Sequence, residues 1–152
     1  MNRQAVRQVK RSILTAAAFV TVLGAATSAR AEIWKCQYVG SWLTTASGNK
    51  DNFSWDIRWT KTDSGWALTG DYQDKYGKSY FDGRCANKSC DFHQTYTTGK
   101  LAGKTYYYSG TYRNKSVGSS SSITAFDGTW GYTSPATDGG TWQAVATCAK
   151  TG

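Results

Sequence analysis

The side chains of this 152-residue chain that could perform covalent or acid–base chemistry are few. They are a single histidine, His93, four cysteines, Cys36, Cys85, Cys90 and Cys148, and a small set of aspartates, of which Asp74, Asp82 and Asp127 are the interior or rim candidates. Paired-carboxylate hydrolysis needs two of these aspartates converging across a cleft, and a cysteine nucleophile needs a free, activated thiolate. Cys85, Cys90 and His93 are close enough in sequence to share a metal ion, but a fourth ligand is missing. Neither a Gly-x-Ser-x-Gly elbow nor a glycine-rich phosphate loop occurs. These residues predict no enzyme, no metal and no cofactor.

The cysteines have a simpler use. Arg3, Arg7, Lys10 and Arg11 begin the chain, 13–26 is apolar, and Ala29-Arg-Ala31 follows, which is the pattern of a cleaved export signal over 1–31. Its apolar part is short and rich in Ala and Thr, which argues against a membrane span. Residues 32–152 are then one secreted or periplasmic domain. An even number of cysteines in an oxidising compartment predicts disulfides. Cys85 and Cys90 flank a short polar link and read as a hairpin staple, leaving Cys36 to join Cys148. Five of the 18 basic residues and none of the 10 acidic ones belong to the leader, so the mature domain carries about +3 rather than +8. Without a run of Lys and Arg, nucleic acid is an unsuitable partner.

Eight strand-like runs must position these residues: 33–44, 53–61, 66–73, 78–85, 90–97, 104–113, 123–132 and 141–149. In the second, Phe53, Trp55, Ile57 and Trp59 alternate with Ser54, Asp56 and Arg58. Short turn clusters separate the runs, and the Ser119–Ser122 tract with the residues before it reads as a flexible loop. Consecutive antiparallel strands form an up-and-down meander, which avoids exposed edges by closing into a barrel. An even strand number leaves the first and last strands antiparallel, the arrangement in which early Cys36 and late Cys148 meet. Alternation and turn spacing alone leave a two-sheet sandwich open. The expected fold is all-β, a single eight-stranded antiparallel barrel.

Five Gly-x-aromatic motifs place a gap beside a ring on one strand face: Gly40-Ser-Trp42, Gly70-Asp-Tyr72, Gly110-Thr-Tyr112, Gly128-Thr-Trp130 and Gly140-Thr-Trp142. A barrel of eight strands is either packed or holds one small ligand. Tyr and Trp suit both uses, combining stacking area with a polar group.

These motifs resemble those of a family. Gly40-Ser-Trp42 is similar to the Gly-x-Trp of calycin barrels. Ala67-Leu-Thr-Gly-Asp-Tyr72, Tyr80-Phe-Asp-Gly-Arg84 and Tyr108-Ser-Gly-Thr-Tyr112 resemble the third, fourth and sixth strands of avidin-like barrels, and Trp130 and Trp142 look like the tryptophans of their last two strands. The resemblance implies a pocket walled by Tyr96, Tyr108 and Trp130, with Trp142 near a rim or subunit contact and Tyr72 offering its hydroxyl to a ligand carbonyl. It also implies that Trp42 is the barrel-closing tryptophan, with Lys150 as its basic partner. Thr44 stands where avidins place an Asn, and Lys150 about where they use a ureido-binding Asp. Asp74 stands at a hydroxyl position and could partly replace that carboxylate. Each lost buried partner costs ~1–3 kcal/mol, so biotin is expected to bind weakly. The resemblance implies a non-catalytic protein for a small ligand, biotin or another cyclic molecule, and allows a homo-oligomer. The competing reading is a disulfide-stapled interaction or inhibitor module with a filled barrel, using the loops at 115–122 and around Pro135.

Overall fold

Period-two burial is the main pattern of the described strands. In the computed structural model, which describes residues 31–151, β2 (Lys50–Thr62) buries Phe53, Trp55, Ile57 and Trp59 and exposes Ser54, Asp56 and Arg58. The same alternation marks β4 (Gly77–Ala86), β5 (Ser89–Tyr96) and β8 (Gly140–Lys150), and holds over part of β1 (Ile33–Thr44), β3 (Gly65–Asp74), β6 (Thr105–Ser116) and β7 (Ser121–Gly131). Each strand pairs antiparallel with the next, and β8 returns to β1, giving a closed eight-stranded barrel. Closure leaves neither the first nor the last strand as a free edge, which reduces the main aggregation hazard of a meander. The exterior carries charges, among them Asp56, Arg58, Asp71, Lys78 and Asp91, where a membrane barrel has an apolar band. The expected leader lies outside the described residues except for its last alanine.

The closing ladder runs from Trp34 opposite Lys150 to Thr44 opposite Gly140, and in it Cys36 faces Cys148 directly. These two cysteines form one disulfide, and Cys85 and Cys90, opposite one another in the β4–β5 hairpin, form the other. The hairpin turns on Asn87 and Lys88, both at positive φ (52° and 64°), the backbone of a two-residue type I′ turn. With both sulfurs bonded and His93 on the outer face between Tyr80 and Tyr107, Cys85, Cys90 and His93 do not form a metal centre. Disulfides of this kind place the domain in an oxidising compartment.

The glycine motifs work across strands. A Cβ on Gly40 would lie 2.5 Å from the Phe53 ring of β2, so the gap in β1 is filled by its cross-strand partner rather than by Trp42 two residues on. The barrel centre is solid with rings. Phe53 stacks on Trp55 at 3.7 Å, Phe92 on Tyr108 at 4.9 Å, and Trp55 meets Tyr108 edge-on at 5.3 Å. Toward the end that holds Cys36–Cys148, Trp59 donates from Nε1 to the Tyr38 hydroxyl at 2.8 Å. Each such buried ring contributes about 1.5–3 kcal/mol by area alone.

One local reading changes. The tract around Ser119 is a tight hairpin, not a flexible loop: Ser116 pairs with Ser122, and the Val117 N–H donates to the Ser121 carbonyl at 3.0 Å. Ladder bonds are made by backbone, so outward polar side chains do not stop them. Conversely, the β2–β3 ladder extends only from Thr62↔Gly65 to Arg58↔Thr69. Beyond it, the first half of β2 and the end of β3 lie side by side without ladder bonds, and the Asp51–Lys75 ion pair (3.2 Å) spans them.

Candidate ligand-binding site

Strand register decides which interior side chains share a level. The ends of β1, β3, β5 and β7 and the starts of β2, β4, β6 and β8 form one mouth, and a cavity of about 480 Å³ opens there above the Phe53–Trp55 stack. Thr44, Tyr72, Asp74, Tyr96, Tyr108 and Trp130 all line it. These are six of the residues singled out from the sequence, and they come from β1, β3, β5, β6 and β7.

The polar groups of the cavity are held by one another. Asp74, at the end of β3, accepts from the Tyr76 and Gly77 backbone N–H groups with Oδ1 (2.7 and 3.1 Å). Its Oδ2 accepts from the Tyr96 hydroxyl at 2.6 Å. The aspartate thus caps the β3–β4 turn and fixes a wall tyrosine at once. Lower down, the Tyr108 hydroxyl donates to Gln94 Oε1 (3.1 Å), and Gln94 Nε2 donates to Ser79 Oγ (2.9 Å). Gln94 and Ser79 are both buried, and this chain satisfies them.

Burial, then the hydrogen bond to Asp74, pushes the Tyr96 hydroxyl well above the ordinary tyrosine range. Burial does the same for Tyr108, and burial followed by the nearby Asp74 charge raises Tyr72. Tyr72, Tyr96 and Tyr108 are therefore neutral donors at any physiological pH. Asp51, the second carboxylate lining the cavity, is held below the usual carboxylate range by the Asn52 N–H and by Lys75. Asp82 and Asp127 are exposed on the outer face, Asp127 paired with Arg113 at 3.2 Å.

Three assignments move. Trp142 is not at a rim: it is 2% exposed, and its Nε1 donates to the carbonyls of Ser109 (3.2 Å) and Thr129 (3.0 Å) inside the wall. Lys150 pairs in register with Trp34 at the opposite end of the barrel and forms an ion pair with Glu32 at 3.2 Å. It is therefore neither a partner for Trp42 nor a substitute for a ligand-binding residue in this mouth. Trp42 itself lines the cavity, half-buried, its ring 5.8 Å from that of Trp130.

Sequence reasoning also missed contributors. Gln94 shares the inward face with Cys90, Phe92 and Tyr96, so alternation alone would have placed it inside. Tyr106 and Leu101 line the cavity as well, Leu101 from the short 3₁₀ turn Gly99–Leu101 that joins β5 to β6. Apolar spacing carries no signal for so short a turn.

No protein-family model and no curated protein matches the chain. Among solved structures, the chain is similar to the ywiB protein from Bacillus subtilis, with a TM-score of 0.48 and 4% sequence identity over 80% of this chain and 94% of that one.

Proposed function

We propose that this protein is a non-catalytic small-ligand-binding barrel of avidin type, exported to the periplasm or the exterior. The carrying observation is the aromatic cavity of about 480 Å³ at the mouth, on which residues from five strands converge, Thr44, Tyr72, Asp74, Tyr96, Tyr108 and Trp130 among them. Sites for small molecules are of this size, concave and mostly apolar, with a few fixed polar groups. Flat rings stack against Trp42, Tyr106 and Trp130, while Asp74, Gln94 and the tyrosine hydroxyls set the orientation of the ligand. The filled lower barrel suits the interaction-module alternative equally well, but the open upper half favours a ligand.

Biotin or another small cyclic molecule is the expected class. Thr44 lines the mouth and offers only a hydroxyl, and the ureido group finds no carboxylate on β8, so biotin binds weakly in this reading. Thermal shift and tryptophan fluorescence with biotin and a panel of cyclic metabolites test it. A binder at a hundredfold excess over its dissociation constant adds ~2.7 kcal/mol to the folded state. A panel that leaves both signals unchanged would remove the pocket reading and favour a protein partner. A picomolar biotin complex would instead show that Thr44 is an adequate replacement for the avidin Asn.

A further inference from the structure

The charge in the mouth is not balanced. Among the residues lining the cavity are two carboxylates, Asp51 and Asp74, and one cation, Lys75. Lys75 is bound to Asp51, and none of the three ion pairs among the described residues includes Asp74. The partners of Asp74 are neutral donors: two backbone N–H groups and the Tyr96 hydroxyl. Such bonds hold the carboxylate in place without cancelling its charge. Tyr96 and Tyr72 do not supply a compensating proton either, since both hydroxyls are raised above the ordinary tyrosine range.

The walls are built largely of aromatic rings. Tyr96, Tyr106, Trp130, Trp42 and Tyr132 form a connected array with centroid separations of 5.4–6.2 Å. Ring faces carry negative electrostatic potential and attract cations. The rim already uses this property, because the Lys75 ammonium sits 5.0 Å from the Tyr76 ring centroid while 3.2 Å from Asp51 Oδ2. A tethered ammonium between a ring and a carboxylate is a built-in example of what the cavity stabilises.

We propose that the ligand of this cavity is an organic cation, an ammonium group carried on a ring. The inference rests on the pocket reading above and adds the ligand's charge. A ring alone gains stacking; an ammonium also gains the field of Asp74 and the ring faces. An anion meets the same carboxylate and is repelled. A metal ion fits poorly, because hard cations need several free oxygen ligands, carboxylates above all, whereas both oxygens of Asp74 and both of Asp51 are already accepting and most of the other lining side-chain oxygens belong to tyrosine hydroxyls.

Three probes that share one ring separate these terms: phenethylammonium, 2-phenylethanol and phenylacetate, titrated by calorimetry and tryptophan fluorescence at neutral pH. The cation should bind roughly tenfold more tightly than the alcohol, and phenylacetate most weakly. In Asp74→Asn the gap between cation and alcohol should close. In Lys75→Gln, which removes the competing ammonium, cation affinity should rise while that of the alcohol stays. Equal affinities, or a preference for phenylacetate, overturn the cation assignment and leave the pocket reading standing. No binding by any of the three overturns this proposal, and the cyclic-metabolite panel then decides the pocket separately. If Asp74→Asn does not fold, an unchanged cation affinity in Lys75→Gln is sufficient to reject the assignment.

Discussion

The Trp142 ring lies directly on Gly110, so that a Cβ added to that glycine would stand 2.9 Å from Cζ2 of the indole. Gly110 and Gly128 are cross-strand partners, and Gly128 is in turn opposite Trp142. Two neighbouring strands therefore lack side chains where the indole crosses them, which lets Nε1 reach the Ser109 and Thr129 carbonyls. Gly110→Ala should destabilise the domain by ~1–3 kcal/mol through overpacking, read as a lower urea midpoint. The smaller ring in Trp142→Phe should relieve part of that strain, so the double variant should lose less than the sum of the singles. Strict additivity would show that the two positions do not share this space.

This contact also marks how far the sequence could be read. The eight strands and the closure follow from alternation, short turns and the placing of Cys36 and Cys148, all of which are local or depend on chain order. Alternation tells which face a side chain occupies but not its direction along the barrel. Trp42 and Trp142 are direct partners on one face, yet Trp42 lines the mouth and Trp142 is buried, because only Trp142 has the paired glycines beside it. Lys150 was misplaced for a related reason: register, not sequence proximity to the last tryptophan, puts it beside Trp34 at the far end. The pocket set from β3, β5, β6 and β7 came from the resemblance to avidin-like barrels and not from alternation, and the structure brings those residues to one mouth.

Alkaline pH should unfold the protein in a specific window. Tyr38, Tyr96 and Tyr108 are all raised above the ordinary tyrosine value, burial being the largest cause in each. A raised folded-state pKa means that the stabilisation is complete below the unfolded value of about 10 and is lost as pH rises beyond it, since only unfolded chains can then release those protons. Urea midpoints should be level at pH 8–9 and fall steadily above pH 10. Absorbance titration should show these three phenols ionising only with unfolding. Their free titration in a folded protein at pH 10 would contradict the burial argument.

The two disulfides should differ in worth. Cys36 and Cys148 are 112 residues apart, Cys85 and Cys90 only 5. By the chain-entropy estimate the first constrains the unfolded chain by up to ~4.7 kcal/mol and the second by about 2 kcal/mol. Paired Cys→Ala variants, compared by denaturant midpoint, should reproduce that order. Equal losses, or a larger loss for the hairpin pair, would mean that packing around the sulfurs outweighs loop closure.

Trp42→Ala and Trp142→Ala should part company, although the two residues are cross-strand partners. Trp142 is 2% exposed, packs against Phe92 and Phe126, and makes two hydrogen bonds. Its removal should cost ~3–5 kcal/mol, the range for truncating a buried large aromatic. Trp42 is half-buried at the mouth, with its ring edge-on to Trp130 and Lys150 too far along the barrel to support it. Trp42→Ala should therefore keep the fold with a smaller loss, while widening the cavity and weakening whatever stacks there. Trp42→Phe should recover much of the binding, because a ring face survives. Thermal melts of both alanine variants, with fluorescence titration of any ligand found for the wild type, make the comparison. A Trp42→Ala protein as destabilised as Trp142→Ala would return Trp42 to a barrel-closing role, whereas one that folds and binds normally would remove it from the cavity wall.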